Sequence, residues 1–347
     1  MASKSKSKLT AVDLFAGAGG ATEGLRRAGI AVVAAVELDK DASMSYRLNH
    51  PRVRLYESDI RDIDAAGVRD QLGLVRGELD ILKACPPCQG FSTLGKEDPS
   101  DPRNDLTTEV WRFVKEFLPK AFVLENVPGI KGDYRLERLI SQATEIGYIV
   151  RTFDVNAANL GVPQRRLRYI VFGVRGHRAG SRLMKLNEVK SIYARTTAGS
   201  ALKNVASKVK VDDPLNRHRA SNAKTLERIR AVPVGGNRFD LPDHLVLPCH
   251  AKMKGRSAGG PYGRIILDAP APTMTTRCTT PSCGSFIHPS EDRGITLREA
   301  AVLQTFPLNY RFAGGYNSIE KQIGNAVPVK MATTLGEVIR SVLEKRS

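Results

Sequence analysis

From residue 9 to about residue 175, short apolar runs alternate with amphipathic stretches. The runs LTAVDLF, IAVVAAVEL, ELDILKA, AFVLENV and LRYIVFGV are nearly continuous in hydrophobic residues, which predicts strands buried on both faces. Between them TEGLRRAG, the stretch around ASMSYRLNH, LTTEVWRFVKEFL and RLERLISQATEIG place apolar residues at helical spacing. Alternating strands and helices predict an α/β domain with a mostly parallel sheet covered by helices on both faces.

Past Val174 the periodicity breaks. Residues 176–290 are rich in Gly, Pro, Arg and Thr, which predicts a separate, smaller, loop-rich domain. Order returns in ITLREAAVLQTF and in VPVKMATTLGEVIRSVLEKR, the latter a terminal helix expected to pack back on the first domain. The expected layout is a disordered basic lead (1–8), a first domain (9–175), a loop-rich insertion (176–290) and a returning segment (291–347).

Charge sharpens this division. The formal net charge is +17, and residues 175–270 hold 19 Lys and Arg against 7 Asp and Glu, so most of the excess sits in the insertion. That concentration points to a polyanion partner, nucleic acid foremost, over an incidental basic surface. No apolar run is long enough to span a bilayer, and MASKSKSKLT lacks the apolar stretch of a signal peptide, so a cytoplasmic protein is expected. Five cysteines without a secretory signal argue for reactive or buried thiols rather than disulfides.

Candidate chemistry begins at the end of the first strand, DLFAGAGGATEGL. Gly17, Gly19 and Gly20 form a tight turn into a helix, which lets backbone approach a ligand. The turn lacks the third glycine of a dinucleotide fingerprint, because Thr22 stands in its place. Glu37, twenty residues after Gly17, closes the second strand and suits two ribose hydroxyls; Asp59 after a third strand suits an adenine amino group. Together they predict an adenosine site, for a dinucleotide or for S-adenosylmethionine (SAM), with the missing glycine favouring SAM.

The stretch KACPPCQGFS after the fourth strand admits three readings. A redox pair would belong in a thioredoxin-like unit, not behind a nucleoside site. A zinc site would need two further ligands, from Cys278, Cys283 or His288 at an unusual spacing. A single nucleophile, Cys88, on a loop stiffened by Pro86 and Pro87 explains more of the surrounding residues.

PPCQGFS resembles the catalytic loop of the cytosine-C5 DNA methyltransferases, and DLFAGAGG resembles their SAM-binding turn. ENV (125–127), QRRLR (164–168), RGITLREAAVLQTFP and GNAVPV (324–329) follow in that family's order, so the resemblance covers nearly the whole chain except about 176–265. It implies a Rossmann-like SAM-dependent methyltransferase domain, with a smaller target-recognition domain that reads duplex DNA around a flipped cytosine. It implies Cys88 as nucleophile and Glu125 at cytosine N3. Arg168 would hold O2, with Arg166 in the same motif, while Asn126 and Gln89 shape the loop. Cys85 stands where the family requires no cysteine and reads as a bystander. Cofactor contacts are implied for Phe15, Ala16, Gly17, Gly20, Glu37, Leu38, Asp59, Ile60, Pro87, Leu106 and Asn325. No metal is expected.

For DNA the candidates are Ser92, Arg217, Arg219, Arg228, Arg238, Arg256 and Arg264, any one of them more apt for phosphate than for base readout. The compact chain resembles bacterial or phage enzymes that partner a separately acting restriction endonuclease, and a monomer is expected. The family's tRNA-methylating branch is the alternative, set against the length and charge of the insertion.

Overall fold

The computed structural model describes residues 8–87, 101–176, 195–210, 212–253 and 259–344. They form two compact units: residues 1–156, 167–192 and 329–347, and residues 157–166 with 193–328.

The first unit is built on a seven-stranded sheet. Its strands are β1 (Thr10–Leu14), β2 (Ala31–Glu37), β3 (Arg54–Glu57), β4 (Ile81–Ala84), β5 (Ala121–Asn126), β6 (Tyr148–Asn156) and β7 (Leu167–Arg175). They lie in the order β3-β2-β1-β4-β5-β7-β6. Pairing is parallel from β3 to β5, while β7 runs antiparallel to both β5 and β6. The mostly parallel α/β sheet expected from the apolar runs is thus present.

Helices α1 (Gly20–Arg27), α2 (Lys40–Asn49), α3 (Ala65–Gln71), α4 (Leu106–Phe117) and α5 (Tyr134–Glu145) connect the strands. Aspartates start three of them: Asp39, Asp64 and Asp133 each accept backbone N–H groups of the first turn, which satisfies donors the helix itself cannot use. Val110, Phe113, Val114 and Phe117 line the inner face of α4 and meet Leu82, Phe122, Leu136 and Tyr148 in the main core. Each such fully buried side chain contributes about 1.5–3 kcal/mol relative to exposure.

The second unit contains α6 (Ala198–Lys208), α7 (Ala223–Ala231), the single turn α8 (Pro248–Ala251), α9 (Leu297–Leu303) and α10 (Tyr316–Asn325). Among the described residues its extended pairing is limited to isolated bridges, such as Arg264 with Ile287. A small core of Ile229, Val232, Leu241, Leu245, Tyr262 and Ile287 holds its middle.

The last helix, α11 (Val329–Glu344), belongs to the first unit. It packs on α1 so closely that a Cβ added at Gly24 would lie 2.5 Å from both Ala332 Cβ and the Val329 carbonyl. The return to the first unit therefore falls at Val329, not at residue 291. The reason is local: Arg298 of α9 binds Asp213 at 2.6 Å and its N–H donates to the Leu215 carbonyl, tying α9 into the second unit.

Candidate active site

Parallel sheets bind ligands beyond the carboxyl ends of their strands, where the strand order reverses. Here that point lies between β1 and β4, whose chain connections run to opposite sides of the sheet. At the end of β1, Phe15 and Gly17 both take φ 56°, in the left-handed region. A Cβ added at Gly17 would meet nothing within 4 Å, so the turn borders open space. Gly20 then begins α1.

Glu37 ends β2, and its carboxylate accepts the N–H of Gly17 at 2.7 Å and of Asp39 at 2.8 Å. Burial raises its pKa in spite of these bonds. Leu38 beside it is 62% exposed, a large apolar side chain left at the rim. Asp59, beyond β3, caps a short 3₁₀ turn (Ile60–Asp62), and the Arg61 side chain holds its pKa down to about 2. Ile60 turns its side chain into the core, which leaves only its backbone for a ligand. Leu106 opens α4 and packs partly on the same core. Pro87 is half-buried, and Asn325 is exposed at the end of α10 in the second unit.

One strand end further along the sheet, Glu125 is 3% exposed near the end of β5. One oxygen lies 2.6 Å from Arg168 Nε, and the other accepts the Cys85 thiol at 2.7 Å. Cys85, read from the sequence as a bystander, follows β4, so three strands converge on one carboxylate. Asn126 donates to the Pro86 carbonyl at 3.3 Å, which fastens the start of the PPC loop to β5. Cys88, Gln89, Ser92 and Arg256 lie outside the described residues.

Arg166 departs from the role expected beside Arg168. It belongs to the second unit, where its buried guanidinium donates to the carbonyls of Met274 and Gly324. Behind the site runs a network that sequence reasoning missed. Lys83 Nζ lies 2.9 Å from Asp13, Asp13 accepts from Thr22 at 2.7 Å, and Thr22 meets the Tyr46 hydroxyl at 2.9 Å. Burial alone would depress the Lys83 pKa; Asp13, Cys85 and Glu125 more than offset it, and the net shift is upward. A lysine inside the fully buried run ILKA was the available signal.

In the second unit several of the arginines expected at DNA bond within the protein. Arg264 is buried and donates to the carbonyls of Ile229, Val232, His288 and Glu291, with Asp292 beside it. Arg238 donates to the carbonyls of His250 and Met253 and stacks on Phe239. Arg219 lies over the Tyr316 ring and binds Asn317 and the buried Glu320. Arg228 is half-buried on the Leu245 carbonyl, whereas Arg217 is exposed. Cys278 is buried beside the Glu320 carbonyl and Cys283 is exposed; among the described residues no His, Cys, Asp and Glu gather as a metal site.

The family model of the C-5 cytosine-specific DNA methylases matches residues 9–341. The chain is 34% identical to the Type II methylase M.HgiDII of Herpetosiphon aurantiacus, over 96% of this chain and 95% of that one. It is 35% identical to the Type II methyltransferase M.Sau96I of Staphylococcus aureus, over 94% and 74%. A solved DNA modification methyltransferase encoded within an E. coli prophage superposes with a TM-score of 0.70 at 26% identity, covering 97% of this chain and all of that one. The S. pombe Dnmt2 methyltransferase, at 17% identity and a TM-score of 0.61, shares the fold.

Proposed function

The chain belongs to the C-5 cytosine-specific DNA methylases, and from that premise we propose how its own residues carry out cytosine methylation on duplex DNA. Family and fold imply SAM dependence. The site is compatible with that cofactor: the Glu37 carboxylate accepts backbone N–H groups from Gly17 and Asp39, with that of Leu38 close by, and a carboxylate has about four acceptor positions, so capacity remains for a ribose hydroxyl. Gly17 borders open space, and Phe15, Ala16 and Gly20 complete the turn. Asp59 would share its carboxylate between Arg61 and the adenine amino group. When bound, SAM supplies an electrophilic methyl group on its sulfonium.

Cytosine C5 is a poor nucleophile until something adds at C6. The Cys88 thiolate is that nucleophile: a bond forms from sulfur to C6, and negative charge moves onto N3 and O2. Glu125 faces N3 and shares a proton with it, while Arg168 meets O2. C5, now enamine-like, takes the methyl group; loss of the C5 proton, to water, then expels Cys88. Attack on C6 from above the ring requires the base to leave the helix stack. The second unit carries the target recognition, through exposed cations such as Arg217 on phosphates. The Type II relatives support a modification role beside a separately acting restriction endonuclease, inside the cell where the DNA lies.

The carrying observation is Glu125, buried and gripped by Arg168 directly beside the start of the PPC loop. Bisulfite sequencing of plasmid treated with purified protein and SAM tests it. Protection at one short recurring motif is expected; protein that binds SAM yet protects no site would overturn the reading.

A further inference from the structure

We infer that Cys85 is a positioning residue for Glu125, an inference that rests on Glu125 serving cytosine N3. The observation is the hydrogen bond from the Cys85 thiol to Glu125 Oε2 at 2.7 Å, opposite Arg168 Nε at 2.6 Å on Oε1. The carboxyl group is thereby held by a hydrogen bond at one oxygen and by an ion pair at the other. Neither contact comes from β5 itself: Cys85 follows β4 and Arg168 stands in β7. The Cys85 N–H also donates to the Leu14 carbonyl at 3.3 Å, so the thiol is anchored to the strand that carries the cofactor turn.

Chemistry decides the direction of the bond. A thiolate beside a carboxylate would repel it, whereas a thiol donates to it. Among the described residues the charged groups facing Glu125 are Arg168 from β7 and Lys83 from β4, the latter already paired with Asp13 of β1 at 2.9 Å. Both favour the ionised carboxylate, and the thiol bond adds to them. Cys85 thus holds the Glu125 carboxyl aimed for the base, and it is this aim, more than the charge, that its removal takes from the reaction. This divides labour between the two cysteines: Cys85 is committed to the carboxylate, which leaves Cys88 for the base.

The test is the pH dependence of methyl transfer by the full-length enzyme. It compares wild type, Cys85→Ala, Cys85→Ser and Glu125→Gln on one DNA substrate. Losing the thiol donor raises the Glu125 pKa, so the alkaline limb of the Cys85→Ala profile should move up by about half to one pH unit. Its kcat at neutral pH should fall about five- to tenfold, with KM for SAM and DNA within about twofold. Cys85→Ser keeps a donor and should return both limb and kcat toward wild type. An unmoved limb in Cys85→Ala, or a serine variant as impaired as the alanine one, overturns the inference. If Cys85→Ala does not fold, Cys85→Val serves as the variant without a donor, under the same criteria. Glu125→Gln separates the levels: full activity there sinks the N3 reading itself. An inactive Glu125→Gln beside an unmoved Cys85→Ala profile sinks only the role of Cys85.

Discussion

Replacing Glu37 with Gln should separate ligand binding from fold stability, and the structure gives the sign of each. The carboxylate accepts backbone N–H groups of Gly17 at 2.7 Å and Asp39 at 2.8 Å, yet burial still raises its pKa. A raised folded pKa means stability that is present below the unfolded pKa and lost as pH rises through the folded one. At pH 8 the ion therefore costs the ligand-free fold something. Gln removes that cost but accepts on one side only, so its NH₂ must face one of the two N–H groups, at about 1–3 kcal/mol. The two effects oppose, and the ligand-free stability should change by less than about 2 kcal/mol. Binding has no such compensation. A ribose hydroxyl donating to a charged oxygen is worth about 1.5–3 kcal/mol, so Kd for SAM should rise about 10- to 150-fold. Calorimetry with SAM and urea unfolding of the ligand-free protein read the two quantities in one buffer. Between pH 4 and 8 the stability of wild type should fall relative to Glu37→Gln. Unchanged SAM affinity would refute the ribose role; a stability loss well above 3 kcal/mol would make Glu37 a pillar of the fold instead.

Further outcomes follow from the same geometry. Cys88→Ala should abolish methyl transfer and covalent capture by DNA carrying 5-fluorocytosine, while DNA binding persists; capture by the variant would end the nucleophile assignment. Arg168→Lys keeps the charge but loses the Nε contact at 2.6 Å to Glu125, so kcat should drop about 10- to 100-fold with SAM affinity intact. Wild-type kcat there would exclude a role in the reaction. Arg264→Ala removes the guanidinium that four carbonyls share and should cost about 3–5 kcal/mol, seen as rapid proteolysis of the second unit. Arg217→Ala should leave stability alone and reduce the slope of log affinity against log salt by about one. Gly24→Val should cost about 1–3 kcal/mol or more, because its Cβ would press on the backbone of α11, and thermal unfolding reads it.

The contrast between β5 and β6 shows which parts of the fold were legible. Every residue of β5, AFVLEN, is buried, so its apolar run stands out in the sequence. β6, YIVRTFDVN, is an edge strand with four half-buried and three exposed positions, and its mixed composition hides it. The same holds for α7, whose buried positions reduce to Ile229; one residue makes no stripe. That helix is held by the Asn222 cap and by Arg228 on the Leu245 carbonyl, contacts that no periodicity records. Glu37 and Glu125 stand out in the sequence because each is an acid at the end of an apolar run, whereas Asp59 lies beyond β3, whose residues are half-buried or exposed. What reached them from other strands, Cys85 above all, was not legible, since register across a sheet is invisible along one chain.

Two of the arginines expected at DNA, Arg238 and Arg264, are buried for a physical reason that bears on recognition. A unit whose extended pairing, among the described residues, is limited to isolated bridges has carbonyls with no ladder to satisfy them. Guanidinium groups, with five donors in a rigid fork, can take several carbonyls at once. Arg166, Arg238 and Arg264 are each buried and donate to two or more carbonyls, the last two within the insertion. Part of the positive charge of the insertion is therefore architecture, and its total overstates the charge available to DNA. Phosphate contacts are to be sought among cations that remain exposed, such as Arg217, Lys224, Arg230 and Arg277. Arg230 and Arg277 lie 3.7 and 4.0 Å from Asp292 and Glu320, loose pairs that a phosphate can displace at little cost. A salt dependence set by these few residues, rather than by every basic residue of the insertion, is what this division of labour requires.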